Sequence, residues 1–519
     1  MKSAIEFTTL DIVIIVVYLV ILVGIVLWSS FAKKHKSDNL FAANKTLGWF
    51  AIGITMWGTN VGPSMLIANA SSGYEGGIVA SNFSWYAFPF ICLLTFVFAP
   101  RYLGAKVMTL PEYMGKRFGE ETRKYIAWYT LVTILISWLG LTLFSGGIFM
   151  AQILDISLYW CVIILVLVSA AFTMAGGLKA IAYTNVFQML LLIGVSALLV
   201  IVAINKVGGI EQIANNTPSS YWNLFQPLSD PNFPWLAILI GYPIMGVWFW
   251  CTDQSMVQAV IGAKDLKQGQ KGANFCAWLK VIDIPLFILP GILCFLLLPG
   301  LSDSKDAYLQ LVVEVFPPGL LSLVIIVMMA ALIGTIAAAL NSLSAVFTMD
   351  IYVKNFKPDC CNKEIKRIGR WVVLVGAVLS IFITIAITFI QDLSFFNIFQ
   401  SVLGFIAPPM SVAFLSAVFW KKTSTKAINL VLTYGTIFSI GTGILYYCKV
   451  IFPHLHFLYL SFFIFVILAV FIFLYSLQDK TESATTLSYT PIKVTKVAKL
   501  AWGSLGVVMV GLYIFFNNN

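Results

Sequence analysis

About fourteen apolar spans, joined by short loops of which every second one is loaded with Lys and Arg, commit this chain to a lipid bilayer. With spans at 12–31, 48–71, 82–100, 125–153, 158–175, 184–204, 234–260, 273–298, 320–349, 371–390, 395–420, 427–446, 457–475 and 501–516, 27 of the 32 cations fall on one face. They are Lys33, Lys34, Lys36 and Lys45, the run from Arg101 to Lys124, Lys179, Lys264 to Lys271, Lys354 to Arg370, Lys421 to Lys426, and Lys480 to Lys499. The other face holds Lys2, Lys206, Lys305 and Lys449, and Lys280 lies inside a span. Short loops rich in Lys and Arg stay in the cytoplasm. The alternation therefore predicts an even number of spans with both termini extracytoplasmic, in the cell membrane. One span missed or invented would reverse the pattern downstream.

A 60% hydrophobic share with 10% charged residues excludes an ordinary soluble domain. Roughly 20 apolar residues cross a bilayer, and the longer spans imply tilt or breaks. The net charge of +10 is loop charge rather than a nucleic-acid surface. The first span is too long for a signal-peptide core and reads as a retained helix. Most of the eight cysteines lie within spans, where Cys behaves as a small apolar residue. His35, His454 and His456 do not converge with Cys in any metal-ligand spacing. No phosphate loop, paired catalytic carboxylates or metal triad can be drawn, so the chain does not read as an enzyme. A proton-pumping redox subunit would need a file of Lys, Glu and His across the bilayer centre, and a channel would want symmetry or a repeated filter. The partners implied are a small-molecule solute and the bilayer, with no nucleic acid and no obligate protein partner.

Two spans carry internal breakers. Gly58-Thr59-Asn60-Val61-Gly62-Pro63-Ser64 sits near the middle of the second, and Gly241-Tyr242-Pro243 with Gly246 in the seventh. Pro cannot donate to the helical ladder. Freed backbone at membrane depth is tolerated only where it packs within protein or lines a cavity. Weakened helices at matching places in two halves point to a transporter site. Here they stand five spans apart, and an odd repeat unit requires the second copy to be inverted. Within the spans, Lys280 and Asp283 lie one turn apart on one face, and Asp253 lies in the cytoplasmic half of the seventh. A charge at bilayer centre costs roughly 2.5–3.5 kcal/mol on insertion scales. The pair therefore lines a polar path or else only locks two helices together. Tyr308 to Phe316 reads as an amphipathic piece at the outer membrane surface.

Four segments resemble the sodium:solute symporters, most closely their sodium/glucose cotransporter branch. They are Thr109-Leu110-Pro111-Glu112-Tyr113 with Lys116-Arg117-Phe118; Trp250-Cys251-Thr252-Asp253-Gln254 with Val257-Gln258 and Ala263-Lys264; Asn341-Ser342 with Phe347-Thr348-Met349-Asp350-Ile351-Tyr352; and Phe419-Trp420-Lys421-Lys422. The resemblance covers roughly residues 10–475. It implies an all-α polytopic membrane protein with a leucine-transporter-like inverted five-plus-five helix core. The corresponding divisions are an N-terminal extra helix and loop at 1–47, repeats at 48–204 and 234–422, an extracellular loop at 205–233, and C-terminal extra helices at 423–519.

By the same resemblance, a co-transported sodium ion lies against the carbonyls of Gly58 and Val61 and against Ala331, Gly334 and Thr335. Oxygen ligands suit a hard cation. Gly334 replaces a residue that is commonly Ser, and Asn185 replaces an Asp on the presumed sodium exit path. Lys280 and Gln400 match positions that bind sugar hydroxyls, and Phe249 stands for a gating aromatic that is usually Tyr. Met65, Ser84 and Gly246 take the places of a polar residue, a Glu and an Asn, while Asn60, Asn69, Asn82 and Trp138 are further candidates. The function implied is sodium-coupled import of a small polar solute by alternating access, with a sugar or polyol favoured. Acidic sugars or other organic acids are the alternative solutes, and an uncoupled sensor or channel is the alternative class.

Overall fold

The structure is a computed structural model describing residues 8–31, 46–154, 156–317, 320–388, 395–479 and 496–517. The loop holding Lys33 to Lys45 and most of the loop from Lys480 to Lys499 lie outside the described residues. What is described is helical, with isolated bridges in place of sheets. In lipid a helix satisfies its own backbone, which is why the apolar runs fold this way.

Eleven helical runs are long and apolar enough to span a membrane, twelve if one bent pair counts as a span. Fourteen is not reached by that measure, for identifiable reasons. The second span is split into Trp49–Asn60 and Pro63–Gly76, and the latter runs on with the third as Met65–Gly104. The N-terminal helix Thr9–Phe31 is present but passes only as the shorter stretch Thr9–Tyr18. The eighth span counts only as the bent pair Leu266–Ile282 and Ile284–Leu297. The loop expected around Lys179 is helical within Leu158–Val207, which still holds both expected spans as Leu158–Ala175 and Ile181–Val207.

Burial separates the centre from the periphery. The best window of Leu321–Asn355 is 89% buried, whereas that of the C-terminal Ala498–Phe515 is 17% buried. Leu321–Val346 packs chiefly on Leu158–Val207, and Trp49–Asn60 packs on Leu266–Leu279. Small residues permit close approach where apolar burial gives helices no preference over lipid. A Cβ on Gly291 would lie 2.0 Å from the Ala70 carbonyl oxygen, and one on Gly73 would lie 2.3 Å from that of Ile288. These two glycines seat Leu289–Leu297 against Pro63–Gly76. Ala307–Val315, expected at the membrane surface, packs on both of these helices with Tyr308 buried.

Candidate functional site

Both core helices unwind. Trp49–Asn60 ends at Val61, which turns out of helical geometry at φ −87°, ψ 76°. Gly62 is extended, and the helix restarts at Pro63. Pro at the first helical position loses nothing, because that N–H has no intrahelical partner anyway. The last turn before the break presents carbonyls the ladder no longer uses, although Val61 N–H still donates to Trp57 O at 2.8 Å and Gly62 N–H to Asn60 O at 3.1 Å.

The second break lies elsewhere than the sequence suggested. Trp235–Val247 passes straight through Gly241, Pro243 and Gly246, continues as a π-helical turn over Trp248–Thr252, and opens at Asp253. Asp253 is extended, and its carboxylate accepts from Met256 N–H at 3.1 Å, capping the restart at Gln254–Ile261. Gly241 and Gly246 are used for close packing instead. A Cβ on Gly241 would sit 2.4 Å from Leu458 O, and one on Gly246 would sit 2.4 Å from the Phe90 ring.

Between the two broken helices lies a hollow, with about 50 Å³ free for water-sized occupants. Asn60 and Met65 face it from the first broken helix, Phe249 from the second, Gln400 from Phe395–Phe419 and Thr335 from Leu321–Val346. These five were candidates from sequence. Trp138, left unplaced by sequence, also lines the hollow and stacks on Phe249 with ring centroids 5.4 Å apart. Phe83, Thr142, Met245, Trp248 and Leu403 join the lining without having been singled out. The polar members among them face inward at helical spacings that a core residue would share, so the sequence held no signal for them. Asn82 is used structurally. Its amide donates to Val79 O and Leu224 O, and its oxygen accepts from Tyr513.

Lys280 and Ser84 are not part of the lining and belong to a buried network beside it. Lys280 begins a 3₁₀ turn, Lys280–Ile282, at a 42° bend before Ile284–Leu297. Residues i and i+3 eclipse in such a turn, so Lys280 and Asp283 meet directly as an ion pair. Asp283 also accepts from Trp57 Nε1 at 2.8 Å and from Ser84 Oγ at 3.0 Å. Lys280 Nζ in turn donates to Asn60 Oδ1 at 2.7 Å, reaching the edge of the hollow. Both charged residues are about 1% exposed, so the pair persists by mutual neutralisation and these hydrogen bonds. The ammonium also lies 5.8 Å from the Trp250 ring centroid.

The five residues assigned to sodium by resemblance lie on two helices that meet a third. Leu158–Val207 packs against both Trp49–Asn60 and Leu321–Val346, which also touch each other. A Cβ on Gly58 would meet Met189, and one on Gly334 would lie 2.7 Å from Asn185 Oδ1 and 2.9 Å from Gln188 Oε1. Thr335 Oγ1 donates to Ala331 O at 3.0 Å, which leaves its lone pairs available. Asn185 Oδ1 and Nδ2 and Gln188 Oε1 are buried without a hydrogen-bond partner among the described residues. Each such atom costs on the order of 1–3 kcal/mol if it stays unsatisfied.

The sodium:solute symporter family profile matches residues 40–428. A sodium/glucose cotransporter 4 of Danio rerio is 31% identical over 452 residues, spanning 80% of this chain and 69% of its own length. A sodium/glucose cotransporter 1 of Ovis aries is 30% identical over 545 residues, spanning 95% and 80%. Among solved structures, a Na+-coupled sialic acid symporter in a substrate-bound outward-open state superimposes with TM-score 0.79 at 19% identity, over 93% of this chain and all of that one. A nucleobase-cation-symport-1 family transporter matches at TM-score 0.52 and 14% identity, over 90% and 98% of the two chains. The inverted five-plus-five core is thus the shared architecture, and the family is one of transporters rather than enzymes. By profile, by relatives and by fold, this chain belongs to the sodium:solute symporter family.

Proposed function

We propose that the chain imports a small neutral polar solute, a sugar or polyol, together with sodium by alternating access around the hollow. Repeats at 48–204 and 234–422 would rock about the two broken helices. The observation that carries this reading is the mixed lining. The Asn60 and Gln400 amides supply donors and acceptors on one side, and the stacked Trp138–Phe249 pair supplies a flat apolar wall. A sugar ring has that same duality of hydroxyl rim and apolar face. The cotransporter relatives carry glucose in their names, which supports a sugar, while the structural neighbour is named for sialic acid, the acidic alternative.

The charge balance beside the hollow favours a neutral over an acidic solute. Lys280 would attract a carboxylate if it were free, but Asp283 already neutralises it and Asn60 Oδ1 accepts a further hydrogen bond from it. The hollow then meets the solute with neutral amides, which favours a neutral ligand. Met65, Ser84 and Gly246 supply no compensating polar groups, since Ser84 is committed to Asp283 and Gly246 is closed by Phe90. Sodium would bind at Gly58, Val61, Ala331, Gly334 and Thr335.

A thermal-shift screen of purified protein with sugars, polyols and sugar acids, in sodium and in choline, tests this, because a ligand bound only by the folded state raises the melting temperature. A neutral sugar or polyol should stabilise the protein in sodium and do so less in choline. Stabilisation confined to sugar acids would transfer the assignment to acidic solutes.

A further inference from the structure

The helix Asn362–Ile387 carries two kinds of surface on a single face. Trp371, Val375, Val378 and Phe382 are exposed and follow one another at spacings of three and four residues, so they form the stripe that this span turns to lipid. Counting back from Trp371 at the same spacing gives Arg367 and Lys363, with Arg370 beside them, all exposed. The apolar stripe thus continues as a basic one. Trp371 stands at the join, where aromatic rings mark the boundary between lipid and water. The loop from Lys354 to Arg370 lies on the face that the cation alternation assigns to the cytoplasm.

The basic end is shaped as a groove of about 870 Å³, lined by Lys363, Lys366, Arg367, Arg370, Trp371 and Tyr352 among others. Glu364 also lines it, but its carboxylate already accepts from Tyr352 Oη at 3.1 Å and from Lys357 Nζ at 3.0 Å. Among the described residues, no carboxylate pairs with Lys363, Arg367 or Arg370. Arg370 Nε donates to the Met174 carbonyl at 3.3 Å, which holds the guanidinium at the seam with Leu158–Val207 and leaves it further N–H groups for a phosphate.

We propose that this groove binds the headgroup of an anionic phospholipid of the cytoplasmic leaflet. Lys363, Arg367 and Arg370 hold the phosphate, and an acyl chain lies along Trp371, Val375 and Phe382. Two features select a lipid over a soluble anion. The cations continue the lipid-facing stripe of a membrane span, and Trp371 belongs to the groove and to the stripe at once. Basic pockets at the cytoplasmic ends of spans suit anionic headgroups for this reason.

The test uses purified full-length protein in detergent micelles, incubated with phosphatidylglycerol, phosphatidylcholine or inorganic phosphate. Bound lipid is counted by native mass spectrometry, with melting temperature as the second readout. Phosphatidylglycerol should be retained in preference to phosphatidylcholine and should raise the melting temperature. Added salt should weaken the effect. Lys363→Gln combined with Arg367→Gln should lower the affinity for phosphatidylglycerol about tenfold or more. The melting temperature in phosphatidylcholine should stay the same, since both side chains are exposed. Lys363→Arg with Arg367→Lys, which keeps the charge, should preserve binding. Lys267→Gln with Lys271→Gln removes equal charge from another exposed part of the same face and should change nothing. Equal retention of the two lipids by the unsubstituted chain overturns the proposal, even where a variant unfolds. So does an equal loss in the two Gln pairs, which would mark diffuse surface charge. Inorganic phosphate that stabilises the protein as phosphatidylglycerol does would give the groove to a soluble anion and overturn it as well.

Discussion

Trp138 donates its indole N–H to Asp253 Oδ2 at 3.0 Å, tying the wall of the hollow to the residue at which the second broken helix unwinds. One carboxylate thus caps the restarted helix and fixes the ring that stacks on Phe249. Asp253→Ala should cost about 1 kcal/mol for the lost cap and should reduce sodium-driven uptake far more than that loss implies. Asp253→Asn, which keeps an acceptor, should retain most of both. Comparing uptake with denaturation of the same variants checks this, and equal losses in the two variants would sever the link between Asp253 and the wall.

Lys280 and Asp283 should behave as a unit. Removing either partner alone leaves a buried charge uncompensated, a loss of about 3–5 kcal/mol. Replacing both with apolar residues of similar size should restore most of the stability while uptake stays abolished, since Asn60 then lacks the donor that orients it. A double-mutant cycle on melting temperature and uptake measures both effects. Normal uptake in the double variant would reduce the pair to a helix lock.

Thr335→Ala should weaken sodium activation more than it weakens folding. The hydroxyl lost makes one bond, to Ala331 O, worth about 0.5–1.5 kcal/mol. Sodium titrations of uptake should shift to higher concentration while the melting temperature in choline moves little. An unshifted titration would place the ion elsewhere.

Restoring Asn at position 246 should not restore a polar contact. The Phe90 ring lies 2.4 Å from the place of the new Cβ, so Gly246→Asn should destabilise by about 1–3 kcal/mol through overpacking. Adding Phe90→Ala should relieve the clash. Melting temperatures of the single and double variants decide this.

The alternation of cations predicts which side each loop faces. Cys361 and Cys448 are both exposed and lie in loops assigned to opposite faces. In right-side-out vesicles a membrane-impermeant maleimide should label Cys448 and spare Cys361. The reverse pattern would invert the topology and place the termini inside.

How far the sequence reached depended on whether a residue's role was local. The break at Val61-Gly62 was legible because Gly and Pro act on their own backbone, and Lys280 with Asp283 because i,i+3 spacing fixes the encounter. The second break was misplaced because Pro243 and two glycines looked like helix breakers. In the fold the helix continues through them, Gly241 and Gly246 admit Leu458 and Phe90, and the unwinding falls at Asp253, whose capping carboxylate was the better signal. Trp138 could not be placed and Gln188 was not singled out, because their neighbours are more than a hundred residues away in the chain, and Asn185 was read only through the resemblance. The bend after Lys280 was likewise missed, although Pro285, Pro290 and Gly291 lie just beyond it.

Sodium-driven accumulation in proteoliposomes bears most directly on the central claim. Purified protein loaded into vesicles with an inward sodium gradient should concentrate a radiolabelled neutral sugar or polyol identified by the thermal-shift screen above its external level, and collapsing the gradient should release it. Equilibration that stops at the external concentration, whatever the gradient, would contradict coupled symport.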